Sequence, residues 1–233
     1  MSIFDIIKKK ENNRWEKYYT KAEWNINVPD VSIYNYMSNK ANNYLDTIAF
    51  NYFGKTIKYK ELLKQIDMCA MAFRSQGVRV GDVVTICMPN TPEGIICFYA
   101  LNKIGAISNM IHPLSGEQEI KMYLNSTNSV MLVMIDVCYE KIKNIIKETN
   151  VYKTIVVSAS DSMPFWLGLG YSFTQGLKVE KPRRSTEYIY YKDFLLKSYN
   201  YHGNYAVEMK KDDPAVILHS GGKTGNPKGI VLS

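Results

Sequence analysis

The chain has 233 residues, 46% of them hydrophobic, with a formal net charge of +7, which is enough apolar content for a substantial core in one or two domains. The basic excess falls in short scattered runs at Lys8, Lys9 and Lys10, at Lys181, Arg183 and Arg184, and at Lys210 and Lys211. No recognition helix, zinc-ligand spacing or RNP-like aromatic strand accompanies them, so solvated basic faces are favoured and no nucleic acid is expected as a partner.

In chain order, residues 1–30 read as a polar leader, and residues 31–233 as the folded domain. Ser32 is placed to cap a helix running to about Asn42. Ala49 to Tyr52 and Lys55 to Lys58 form a hairpin turning at Gly54. Leu62, Leu63, Ile66, Ala70 and Phe73 recur at helical spacing over Tyr59 to Ser75, and Gly77 stops that helix. Strands follow at Asp82 to Met88, Ala106 to Ile111, Val130 to Ile135 and Lys153 to Ser158, separated by helices at Thr91 to Ile104, Gly116 to Ser126 and Val137 to Thr149. Strands spaced by helices of this length pair in parallel through crossovers. The fold class is therefore α/β, a doubly wound, mostly parallel sheet with flanking helices. Pro89 to Pro92 and His112 with Pro113 read as turns at strand exits, and Asp82 as a turn residue.

Residues 163–184 interrupt the alternation. Phe165, Trp166, Leu167, Leu169, Tyr171 and Phe173 precede Lys178, Lys181, Arg183 and Arg184. Two readings stand: a helix packed on the sheet with a basic loop after it, or a weak peripheral membrane contact. Nothing in the sequence approaches the roughly 20 apolar residues of a membrane span. The N-terminal Ile3 to Ile7 stretch is too short for a signal peptide. Cys69, Cys87, Cys97 and Cys138 form no C-x-x-C pair, and His112, His202 and His219 lie far apart. Reduced core thiols, a cytoplasmic location and no protein-held metal are the expectation.

The chemistry gathers at the end. An apolar strand, Ala215 to His219, empties into Ser220, Gly221, Gly222, Lys223, Thr224, Gly225, Asn226, Pro227, Lys228, Gly229, and a second strand begins at Ile230. Glycines let backbone N–H groups crowd around an anion, Ser220 and Thr224 add hydroxyl donors, and Lys223 and Lys228 add charge. In doubly wound sheets ligands bind beyond the carboxyl ends of strands, where this loop lies. Gly222, Lys223 and Thr224 spell the end of a Walker motif, but Ile217 occupies the position of its first glycine and Pro227 precludes the helix it needs. An alternative for Pro227, Lys228 and Gly229 is a turn that only orients the next strand.

The loop instead resembles the signature of the adenylate-forming superfamily of acyl-CoA synthetases, luciferases and nonribosomal adenylation domains. Further segments are similar to that family in order and spacing: Ile57 to Leu62, Gly77 to Val84, Met88 to Glu93, and Lys103 to Ala106 through His112 and Pro113. Lys58 and Lys223 replace hydroxyl residues usual in the family; Lys223 keeps a donor and adds charge that could still meet phosphate, but its longer stem could clash with closure or hold pyrophosphate too firmly. The length of chain between Gly81 and Ser220 looks more like fatty acyl-CoA synthetases.

The resemblance implies part of a large N-terminal domain, with Mg-ATP, a small-molecule carboxylate and CoA as reactants and an acyl-adenylate intermediate. Ser220, Gly221, Gly222, Lys223, Thr224, Gly225 and Lys228 would bind the ATP phosphates, and no catalytic residue is assigned. The family's adenine-bracketing, ribose-binding and catalytic-lysine segments have no counterpart before Ser233, so residues 1–233 alone are expected to be inactive. A peptide-synthetase adenylation module and a noncatalytic, decayed fragment remain as alternatives.

Overall fold

The computed structural model describes residues 18, 28–174, 176, 179–220 and 228–233, without the side chains of Phe165 and Ser172. The leader expected over residues 1–30 lies almost wholly outside them. The chain enters helix α1, Ile33–Ala41, through extended Ser32, whose hydroxyl accepts from Asn35 N at 3.0 Å. The hairpin of β1, Ile48–Tyr52, and β2, Lys55–Lys58, turns through Phe53 and Gly54, both at positive φ. Gly54 carries φ +89° at no steric cost, as a two-residue hairpin turn requires.

Helix α2, Tyr59–Ser75, buries Leu62, Ile66, Cys69, Ala70 and Phe73 along one stripe. Gly77, at φ +95°, then lets its N–H reach Arg74 O while Val78 N returns to Phe73 O. Parallel strands β3, Val83–Cys87, β4, Ile107–Ile111, β5, Met131–Ile135, and β6, Lys153–Val157, alternate with α3, Pro92–Lys103, α4, Glu117–Ser126, and α5, Tyr139–Ile145. The run from residue 137 to 149 is not one helix. It opens in a 3₁₀ turn, Asp136–Cys138, and closes in another, Ile146–Glu148. Buried Asp136 starts the first turn while its carboxylate accepts from Ser158 Oγ and Ala159 N.

The large sheet runs β7-β6-β5-β3-β4-β8-β9, where β7 is Tyr188–Tyr190, β8 is Val216–His219 and β9 is Gly229–Leu232. Every neighbouring pair is parallel except β8 with β9. The strands β3 and β5 are buried on both faces, with Val84, Thr85, Ile86, Leu132 and Val133 wholly enclosed, as a doubly covered sheet demands.

Two elements have no counterpart in the sequence pattern. Strand β7 and helix α7, Tyr191–Leu196, fill residues 188–196, and α7 sends Phe194 into the core, edge-on to Phe73 at 4.9 Å between ring centroids. In the 163–184 stretch, a helix, α6, spans Phe165–Phe173. Gly168 approaches Ser160, while Trp166 and Phe173 stay 70% and 73% exposed.

Candidate functional site

The strand β8 inserts beside β4 in parallel register, Asn109 opposite Ile217, so the chain leaves the sheet at His219 on the same rim where β3 and β4 end. Strand β9 returns antiparallel, with His219 opposite Gly229. Ser220 and Lys228 close the loop between them: Ser220 N donates to Lys228 O at 3.0 Å, and Ser220 Oγ reaches the same carbonyl at 3.4 Å. Of the residues expected to bind phosphate, the structure therefore brings Ser220 and Lys228 together at the mouth of the loop. Gly221, Gly222, Lys223, Thr224 and Gly225 lie outside the described residues, as do Asn226 and Pro227.

Beneath the mouth is a support that the loop motif did not reveal. His219 Nε2 sits 2.6 Å from Asn109 Oδ1. Asn109 Nδ2 donates to Thr85 Oγ1 at 2.8 Å and to Thr127 Oγ1 at 3.3 Å. The amide nitrogen faces hydroxyls and its oxygen faces the ring, so His219 carries its hydrogen on Nε2. Ser129 Oγ joins Thr85 and Thr127 at 2.6 and 2.7 Å, completing a polar chain inside the sheet–helix layer.

The other face of the His219 ring lies on Tyr123 of α4, centroids 3.9 Å apart. Tyr123 OH donates to Glu119 Oε1 at 2.6 Å. Burial and that carboxylate push the Tyr123 phenol up to about 12, and the same hydrogen bond draws Glu119 below the usual carboxylate range. Burial lowers His219, which favours the neutral ring, and its buried Nδ1 finds no hydrogen-bond partner among the described residues. A Cβ on Gly229 would stand 3.1 Å from Ile217 Cγ2 and 3.4 Å from His219 Cε1. The glycine thus lets β9 close over the ring.

Asn109 is wholly buried in a strand otherwise rich in apolar residues. A polar residue at such a position is the signal from which this support was legible, since buried polar groups require partners. The turn readings hold. Thr91 caps α3 through Gly94 N at 3.4 Å, His112 Nδ1 accepts from Leu114 N at 3.1 Å, and Asp82 accepts from Arg79 N at 2.7 Å. No group of three or more His, Cys, Asp or Glu residues among the described residues is placed to hold a metal ion.

With this geometry established, likeness to known proteins bears on it directly. A family model described as AMP-binding enzyme matches residues 37–233. The chain is 25% identical over 210 residues to a long-chain-fatty-acid–CoA ligase of Bacillus subtilis (strain 168), covering 88% of this chain and 37% of that protein. It is 30% identical over 179 residues to 3-hydroxypropionyl-coenzyme A synthetase of Sulfurisphaera tokodaii, covering 77% of this chain and 26% of that one. Among solved structures, an anthranilate CoA ligase in complex with anthranoyl-AMP superposes with a TM-score of 0.70, covering 88% of this chain and 35% of the other. At 17% identity that likeness concerns the fold alone. The chain thus spans roughly a third of the length of these proteins.

Proposed function

Because this chain belongs to the AMP-binding enzyme family, we propose that residues 31–233 form part of the N-terminal domain of an ATP-dependent carboxylic acid–CoA ligase, with a fatty acid as the acid. The observation that carries this reading is the closed strand–loop–strand unit at the sheet rim. Ser220 and Lys228 pinch together the ends of a glycine-, hydroxyl- and lysine-rich loop directly after a parallel strand. Similarity to the fatty-acid ligase over 88% of the chain supports the choice of acid.

In the proposed reaction a substrate carboxylate oxygen attacks the α-phosphorus of Mg-ATP, forming an acyl-adenylate and releasing pyrophosphate. The CoA thiol then attacks the acyl carbon and AMP leaves. Backbone N–H groups of Gly221, Gly222 and Gly225, the hydroxyls of Ser220 and Thr224, and the Lys223 and Lys228 ammonium groups would hold the β and γ phosphates. Their task is to stabilise charge that builds on the departing pyrophosphate. His219 and Asn109 fix the strand end from which that loop springs. The relatives extend well beyond the part that this chain matches, and in this reading residues 1–233 alone would form no acyl-CoA. A cytoplasmic location fits the four free cysteines. Exposed apolar residues of α6 support a weak peripheral contact with membranes.

The test is fatty-acid-dependent exchange of labelled pyrophosphate into ATP by a chain extended to the length of its relatives. Exchange is expected there and not in residues 1–233; acyl-CoA formation by residues 1–233 alone would overturn the division of labour. In the extended protein Lys223→Thr is expected to raise the exchange rate, because a shorter hydroxyl side chain frees pyrophosphate more readily. An unchanged or lower rate would refute that role for Lys223.

A further inference from the structure

Four buried cysteines are all free, yet they lie in two near-contact pairs far apart in sequence. Cys69 and Cys97 join α2 to α3 with sulfurs 3.8 Å apart. Cys87 and Cys138, 51 positions apart, bring their sulfurs to 4.0 Å. The second pair follows from the topology: Cys87 ends β3, Cys138 ends the turn after β5, and β3 and β5 are neighbours, with Cys87 opposite Met134. Both sit at the carboxyl rim of the sheet, Cys87 immediately before the Met88 to Thr91 exit into α3 and Cys138 in the turn after β5.

The two pairs differ in chemistry. All four thiols are enclosed, but Cys69 and Cys97 lie between helices, where burial pushes the Cys97 thiol well up and keeps it protonated, whereas Cys138 lies at the sheet rim next to exposed Val137 and near half-buried Lys141. Cys138 is different. The Cys87 S–H donates to its sulfur, and Lys141 lies on the next turn of the same segment with its ammonium on the carbonyls of Pro113 and Ser115. The Cys87 hydrogen bond, aided by the Lys141 charge, draws the Cys138 thiol below its ordinary range against the effect of burial. In its protonated form the Cys138 thiol donates to Pro113 O at 3.4 Å.

We propose that Cys87 and Cys138 form a peroxide-driven disulfide site at the carboxyl rim of the sheet, and that Cys69 and Cys97 remain thiols. The Cys138 thiolate attacks one oxygen of hydrogen peroxide, breaking the O–O bond and giving a sulfenic acid and hydroxide, which takes a proton to become water. The Cys87 sulfur then gives up its proton and attacks the Cys138 sulfur. The S–O bond breaks, the hydroxyl leaves as a second water, and the disulfide forms. Two thiols are oxidised and one peroxide is reduced. The sulfurs must close from 4.0 Å to the ~2.05 Å of a disulfide bond, a shift within reach of side-chain rotation and slight strand movement. The bridge would tie the exit of β3 to the turn after β5, and so stiffen the start of α3. This inference stands apart from the ligase reading, because it concerns only the thiols of this chain.

The test uses the reduced 233-residue chain, treated with hydrogen peroxide under native conditions, blocked with N-ethylmaleimide, digested without reductant and read by mass spectrometry. The expected result is a Cys87–Cys138 cross-linked peptide pair about 2 Da lighter than the sum of the reduced peptides. Blockable thiols fall from the four free cysteines to Cys69 and Cys97 alone. Cys138→Ser abolishes the cross-link; Cys87→Ser also abolishes it and leaves Cys138 as a sulfenic acid that dimedone captures. Circular dichroism of both variants establishes that they are folded, and the wild-type peptide map decides the matter where either is not. Four blockable thiols at peroxide levels that oxidise free cysteine, or a Cys69–Cys97 bridge forming first, would overturn the proposal.

Discussion

His219 Nε2 stands 2.6 Å from Asn109 Oδ1, so the last residue of β8 is tied to the middle of its neighbour β4 at the point where the chain enters the loop. Asn109 is the only side chain among the described residues that joins this ring to the Thr85, Thr127 and Ser129 hydroxyls. Asn109→Leu retains the volume but strands the ring N–H and removes a donor from the hydroxyls. The expected cost is about 1–3 kcal/mol in urea unfolding of the 233-residue chain. Thr127→Val removes the longer of the two amide contacts together with the hydroxyl's bonds to Ser129 Oγ and Tyr123 O but leaves the ring N–H paired, and should also destabilise the chain; no cost in either variant would contradict the arrangement.

The His219 ring gives a pH dependence of defined sign. Burial lowers its folded-state value below the ordinary 6.5, so in the window just beneath 6.5 the unfolded chain binds more protons than the folded one. Stability contributed by the neutral ring is present above that value and is lost as pH falls through it. Glu119, the charged group facing the ring from α4, is drawn below 4.5 and acts in the same direction only at lower pH. Thermal unfolding followed from pH 7.5 to 5.5 should therefore fall less steeply in His219→Gln than in the wild-type chain. Parallel curves would show that the ring does not titrate with folding.

Glu93 gives the opposite sign. Burial in the first turn of α3 raises its carboxyl above 4.5, although Ser162 donates a hydrogen bond to it. The folded chain then binds more protons than the unfolded chain above 4.5, and stability declines as pH rises through the folded value. Gln keeps an acceptor for Ser162 and carries no charge. Glu93→Gln is expected to unfold at a higher temperature than wild type at pH 7, with the gap closing at pH 4. A lower melting temperature at pH 7 would mean that the ionised carboxylate has a stabilising partner.

Much of this fold could be read from spacing. The apolar stripe of α2 and the uninterrupted runs of β3 and β5 left little choice of element, because burial on one stripe or on both faces writes itself into the sequence. The two strands that flank the glycine- and lysine-rich segment were legible for a related reason, since apolar Ala215 to Leu218 and Ile230 to Leu232 bracket it in the sequence. Strand β7 and helix α7 were not, because Tyr188 to Leu196 alternates neither at period two nor over enough turns, and its place is set by Phe194 meeting Phe73. The support under the loop was hidden for another reason. Asn109, Tyr123 and His219 are far apart in sequence and meet only once β4, α4 and β8 are stacked. The two cysteine pairs were hidden in the same way: no local motif joins positions that the topology alone makes neighbours.

Helix α6 offers the last prediction. Trp166 and Phe173 are 70% and 73% exposed, Phe53 at the hairpin tip adds a third exposed ring, and Trp166 and Phe53 line the same shallow cleft. Basic residues lie close by in sequence, although Lys181 is paired with Asp136 and Arg184 with Asp193; Lys178 lies outside the described residues. Apolar rings insert into the acyl boundary while the surrounding positive charge meets anionic headgroups. The chain should therefore co-sediment weakly with vesicles of phosphatidylcholine and phosphatidylglycerol, and less so as salt is raised. Burial of one large side chain contributes about 1.5–3 kcal/mol, so Trp166→Ala should weaken binding by roughly tenfold or more. Arg183→Gln should weaken it only at low salt. Binding unchanged in Trp166→Ala would assign any attachment to charge alone, and no binding at low salt would leave α6 a helix packed on the sheet.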